Sequence, residues 1–319
     1  MTSVPAPELL TREPGDFEEP RRRRRLVWSV VRTQPQATIG ALVLLAFVIV
    51  AVLAPYIAPY GETERVGDVF EPPSSEHWLG LDDAGIDMLT LMLHGTRVSL
   101  IVGFAAALVA MLIGGTIGFL AGYFGGKTDV GLMRLTDYFI VIPDIPLMLV
   151  VAAIWGRSLT NIILIIGVIY WTTTARVVRA QVKSVRERVY VKRARALGAG
   201  HGRVLWKHVV PQVAPLLVAI TVLSIAVAIF AETAIAFLGL GDPTLISWGK
   251  LIENAFSRSA ISVDAWWAVV PPGLAVVVVV LACTMLGRAL EDSLNPRLRV
   301  GHLSVRHFRL RSLPGTEAR

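Results

Sequence analysis

The stretches "IGALVLLAFVIVAVLA" (Ile39–Ala54) and "LAVVVVVLACTML" (Leu274–Leu286) offer no polar face at helical spacing. A helix that is apolar all round must be buried in a large core or in lipid. With 54% hydrophobic and only 17% charged residues in 319, the chain falls below the roughly 25% charged expected of a soluble domain. It is read as a membrane protein. A hydrocarbon core about 30 Å thick needs about 20 apolar helical residues. Six runs supply them: Thr38–Ala58, Val98–Tyr123, Val130–Trp155, Leu159–Arg176, Val213–Leu240 and Trp266–Gly287. The expected fold class is an all-α polytopic membrane protein.

A net charge of +7 could suggest nucleic acid, but the positions of the cations decide against it. With the N-terminus inside, segments 1–37, 123–136, 176–211 and 287–319 hold 26 of the 31 Lys and Arg, and the outside segments hold 5. Cations enriched on one side orient a chain with that side in the cytoplasm. Both termini are therefore expected to be cytoplasmic, and no nucleic-acid partner is called for. The expected organisation is a cytoplasmic segment 1–37, a transmembrane domain 38–287 and a cytoplasmic tail 288–319 that becomes disordered towards its end. Within the domain, 59–97 is an acidic external loop capping the outer mouth and 177–212 a basic cytoplasmic loop. Arg21–Arg25 reads as an anchor on anionic lipid, followed by a short interfacial helix around Trp28. The first span, 21 residues long and 37 residues in, exceeds a signal-peptide core and is read as uncleaved.

Catalytic motifs are missing. The chain has no G-x-x-x-x-G-K-[ST], H-E-x-x-H, C-x-x-C or G-x-S-x-G, so it is read as a non-catalytic subunit with no cofactor or metal of its own. The lone Cys283 lies within the sixth span, and His201 and His208 lack the further ligands that zinc requires. Polar groups inside spans carry more information, because lipid disfavours them. Asp137, spaced to pair with Arg134, Asp144 between Pro143 and Pro146, and Glu232 are candidates for a pathway or gate. The two prolines should kink or unwind the third span. Glu232, about eight residues and roughly 12 Å from the outer end of its span, is expected to be partly buried. Gly114, Gly118 and Gly122 form a stripe suited to close helix packing.

The basic loop "VKRARALGAGHGRVLWKHVVPQ" (Val191–Gln212) combines cations with Ala194, Ala196, Leu197, Gly198, Ala199 and Gly200. A helix–turn–helix of this kind brings backbone close to a second surface and suits docking into a groove on a soluble partner. It resembles the "EAA" coupling loop of bacterial ABC-importer permeases, with Gly198 and Pro211 at the family's Gly and Pro, His208 nearby, and Lys192 and Arg193 where the family has Glu-Ala. "HWLGLDDAGIDMLTLMLHGTRVSLIVGF", "AGYFGGKTDVGLMRLTDYFIVIP", "AETAIAFLGLG" and "SWGKLI" resemble the peptide and nickel branch of that family, its C-type dipeptide or oligopeptide permease. Ile86 stands where that branch often has Arg. The resemblance implies a type I ABC-importer permease bundle in a bacterial inner membrane, forming half of a pathway for peptides, or for nickel or another small solute, by alternating access. It also implies a homologous second permease, two cytoplasmic ATPase subunits that bind ATP and Mg, and an extracytoplasmic solute-binding protein. An ion-coupled secondary transporter, which would carry inverted repeats, and a non-transporting scaffold are the rival readings.

Overall fold

The computed structural model describes residues 34–294. The Arg21–Arg25 run, the helix expected around Trp28 and the tail after Leu294 lie outside the described residues. Within them the chain is helical: α1 (Pro35–Ile57), α2 (Met88–Phe124), α3 (Gly126–Val141), α4 (Asp144–Trp155), α5 (Leu159–Arg186), α6 (Val189–Ala196), α7 (His201–Leu240), α8 (Trp248–Ser257) and α9 (Val270–Leu294). Two isolated β-bridges in the loop before α2, Arg65 with Ile86 and Leu81 with Asp87, are the only extended pairings among the described residues.

Five helical segments are long and apolar enough to cross a membrane, and a sixth crossing exists if α3 and α4 are one bent span. That bent pair lies where the sequence places the third span and expects its two prolines to kink or unwind it. Ile142 and Pro143 are extended, at ψ 128° and 127°, and the axis turns by 87°. The proline disfavours the helical region at Ile142 and cannot itself donate to the preceding turn. Alone, the 12 residues of α4 reach about 18 Å, short of a crossing.

The helices run well beyond the apolar runs that mark them. Asp87 starts α2 eleven residues before Val98 by accepting from Thr90 N at 2.8 Å and from Thr90 Oγ1 at 3.0 Å. A side-chain oxygen there satisfies an otherwise orphaned amide. At the other end α5 continues past Arg176 to Arg186. Solvated turns obey propensity and capping rather than hydropathy, so apolar runs alone underestimate these helices.

α2 lies at the centre, against α1, α5 and α7, while α9 packs on α1 and α7. In lipid the close fit of small residues, rather than escape from water, drives such packing. The glycine stripe shows it. A Cβ on Gly118 would sit 2.6 Å from Ala175 O, and one on Gly122 would sit 2.8 Å from Arg179 O; Gly114 faces Trp171 O in the same register. Three carbonyls of α5, spaced by one turn, thus rest on three glycines of α2. Outward positions such as Leu42, Leu45, Val52, Leu274 and Val277 are apolar and exposed, as a lipid-facing surface requires.

The bundle has an acidic and a basic end. At the acidic end the loop 58–87 folds over α2 and α8: Trp267 Nε1 donates to Leu81 O at 3.1 Å, and buried His77 and Asp87 meet at 3.2 Å. Asp82 accepts from Ala84 N and Ile86 N at 2.8 Å, and burial nevertheless holds its carboxyl above the ordinary range. At the basic end Val178, Val182 and Val185 of α5 close a core with Val191, Val204, Val209 and Val213.

Candidate functional sites: a basic hairpin and a charged face

The basic hairpin is short. Since α5 runs to Arg186 and α7 begins at His201, only residues 187–200 project, as α6 and a tight turn. Gly198 makes that turn at φ +82°, a conformation L side chains rarely adopt, and nothing beyond its chain neighbours lies within 4 Å of its notional Cβ. Leu197, 89% exposed, crowns the tip beside Ala196 and Gly198, while Ala194 and Ala199 are half-buried against the stem. His208 is set back on α7, its ring 6.1 Å from that of Tyr190. Pro211 also lies on α7, just after a widened turn over Leu205–Val209. Both lie within the long helix rather than on the turn.

The hairpin is fixed firmly to the bundle. Tyr123, at the end of α2, touches Nδ1 of His201 through its hydroxyl at 3.2 Å and lies 5.0 Å beneath the Arg195 guanidinium. Such stacking contributes about 0.5–2 kcal/mol. Arg186 Nη1 donates to Tyr123 O at 3.0 Å. At the start of α3, Asp129 accepts from Arg179 and from Lys183 on α5, the latter at 2.7 Å. Lys192 and Arg186 hold the exposed Glu187 below the usual carboxylate range, with Lys192 Nζ at 2.9 Å. Tyr123, Arg195 and the 72% exposed Trp206 escaped the sequence reading. An aromatic residue closing a span was the available signal for Tyr123.

The second site lies where α3, α4 and α5 meet. Asp137 pairs with Arg176 Nη2 at 2.7 Å, and not with Arg134 as expected. The i, i+3 spacing allowed the Arg134 contact, but α5 extends past Arg176 and brings that guanidinium alongside α3. Arg176, Asp144, Tyr170, Thr172 and Thr173 line a cavity of about 360 Å3 that opens on the flank of the chain. Pro143 shapes it by breaking the helix. A charge that closes an apolar run looks like the end of a span, and that hides the role of Arg176 here.

Glu232 lies elsewhere and is 3% exposed, not partly buried. It is enclosed between α2, α7 and the segment entering α8. Ser99 Oγ donates to its carboxylate at 3.4 Å and accepts from Trp248 N at 3.2 Å. Distance from the span end could not reveal a cover supplied by α8. Among the described residues no group of His, Cys, Asp and Glu could hold a metal ion.

The family model described as the inner membrane component of binding-protein-dependent transport systems matches residues 114–300, more than half the chain. The chain belongs to that family. A second model, for the N-terminal transmembrane domain of oligopeptide transport permease C, matches residues 23–73 of this permease. Among curated relatives, a dipeptide transport system permease protein (DppC) of Alkalihalophilus pseudofirmus is 36% identical, covering 82% of this chain and 86% of its own. A glutathione transport system permease protein (GsiD) of Pectobacterium atrosepticum is 34% identical over 86% and 91%. An oligopeptide transport system permease protein (OppC) of Bacillus subtilis is 30% identical over 89% and 94%. The permease is thus an all-α, multi-pass membrane subunit of a transport system, with the type I fold of its family.

Proposed function

We propose that this permease forms half of a peptide pathway in an ATP-driven importer of a bacterial inner membrane, both termini facing the cytoplasm. Its partners would be a homologous permease, two ATPase subunits carrying ATP and Mg, and an extracytoplasmic binding protein. The dipeptide, oligopeptide and glutathione permeases it resembles support the substrate class. One structural observation carries the reading. The Asp137–Arg176 pair is half-exposed between α5, a candidate span, and the broken α3–α4 pair, and Asp144 is exposed beside it. Ions facing hydrocarbon are strongly disfavoured, so such a face meets water or another protein. A second permease set against it would enclose a polar path between the two chains.

In this reading the hairpin around Gly198 docks in a groove of an ATPase subunit. Ala194, Ala196, Leu197 and Ala199 form the small or apolar docking surface, and His208 and Pro211 support it from α7. Because Tyr123, Arg186 and the Val191–Val204 core tie the hairpin to α2, α5 and α7, it moves with those helices. The glycine stripe makes α2 and α5 one body. Closure of the ATPases would therefore turn this body about the break at Pro143 and open the opposite end, an alternating-access movement of rigid parts. Glu232 fixes α8 to that body rather than facing the path.

Thiol accessibility tests the pathway. The single native cysteine, Cys283, is fully buried and gives little background. In the assembled importer Thr173→Cys should react with a small charged thiol reagent, and at least several-fold differently with and without trapped ATP. Inertness in every state would place this face against protein or lipid and reject the pathway.

A further inference from the structure

A groove of about 680 Å3 runs between α1 and α2, lined by Val48, Val52, Tyr56, Arg97, Ile101 and Phe104 among others. Its lining includes none of the charged residues of the pathway face. The chemistry is graded along its length. Arg97 and Tyr56 lie towards the acidic end, near where the loop 58–87 joins the two helices. From there Ile101 and Phe104 descend about 10 Å on α2, while Val52 and Val48 descend about 12 Å on α1. The wall is open: Val52 is 66% and Tyr56 84% exposed.

Arg97 is the anomaly. It is exposed at the point where α2 enters its apolar run, and it makes no hydrogen bond or ion pair among the described residues. A guanidinium cannot shed its charge there. Its long side chain can reach the headgroup level while its stem stays on apolar surface. The acidic loop, with Glu62, Glu64, Asp68 and Glu71, leaves it unpaired. A planar guanidinium, with a phenol lining the same groove, is suited to a phosphodiester, which it can grip with two N–H groups. The aliphatic channel below fits a hydrocarbon chain. A protein helix would fill the channel equally well, but would have to bring its own anion to Arg97.

We propose that this groove binds one membrane phospholipid, its phosphate on Arg97 and an acyl chain along Val52, Ile101 and Phe104. The lipid wedges α1 against α2 at the acidic end. This assignment is independent of the transported substrate.

The test uses the assembled importer, reconstituted in phosphatidylglycerol and phosphatidylethanolamine and then examined by native mass spectrometry in mild detergent. The wild type should retain one more phospholipid per copy of this permease than Arg97→Gln, and Arg97→Lys should restore most of the retention. Equal retention by wild type and Arg97→Gln would overturn the site. In parallel, Val52→Cys should be shielded from a lipid-soluble maleimide in the complex and gain reactivity when Arg97→Gln is added. Shielding that Arg97→Gln leaves unchanged would show that a partner protein fills the groove and would overturn the site equally.

Discussion

Gly118→Val should reduce the amount of monodisperse permease by about tenfold at matched expression, with Gly118→Ala intermediate. Any Cβ at Gly118 meets Ala175 O at 2.6 Å and Val178 Cβ at 2.7 Å, and backbone cannot retreat as a flexible side chain can. Overpacking of this kind costs typically about 1–3 kcal/mol, and each 1.4 kcal/mol is roughly tenfold in an equilibrium. The control is Gly131→Val, since nothing outside its own stretch of helix lies within 4 Å of the Cβ position at Gly131. Fluorescence-detected size exclusion separates the two outcomes. If Gly118→Val and Gly131→Val elute alike, α2 and α5 are not held by this stripe and the rigid-body account of coupling fails with it.

Gly198→Trp should leave insertion intact and lower ATP-driven uptake at least tenfold, with hydrolysis lost or running without transport. The chain offers no obstacle near Gly198, so the fold accommodates the ring apart from the strain of φ +82°. The left-handed conformation of a non-glycine residue costs roughly 1–2 kcal/mol, too little to prevent insertion. An ATPase groove closing on the turn would meet the indole directly. Gly198→Asn separates the two causes, because asparagine tolerates positive φ and adds little bulk; it should retain much more uptake than the tryptophan. Lys192→Ala removes only an exposed pair with Glu187, worth about 0–1 kcal/mol, and should change uptake less than twofold. Full uptake by Gly198→Trp at normal expression would show that the hairpin is a solvated connector.

Much of this architecture was legible because membrane helices announce themselves by composition. The apolar runs marked the five helices long enough to cross and the bent pair that would make a sixth, and Pro143 with Pro146 marked where that pair breaks. What remained hidden was set by contacts between segments distant in sequence. Arg176 looked like the end of a span because charge usually ends an apolar run. Instead α5 continues for ten residues and carries Arg176 against Asp137, nearly forty residues earlier. Glu232 looked half-buried because its depth was measured along one helix, whereas its cover comes from Trp248 and Ser99. The glycine stripe could be read as a packing face, but its partners, the carbonyls of Trp171, Ala175 and Arg179, could not. Likewise the small residues of 194–200 suggested a turn, while the dependence of its anchoring on Tyr123 needed the three-dimensional fold.

The most direct measurement is peptide uptake by proteoliposomes holding both permeases and the ATPase subunits, with the binding protein on the face opposite the ATPases. Labelled di- and oligopeptides should accumulate only when ATP and Mg are present on the ATPase side and the binding protein is on the other. Dissipating the proton gradient should leave that accumulation unchanged. Accumulation driven by an ion gradient with the ATPases omitted, or no peptide flux with ATP hydrolysis intact, would contradict the assignment.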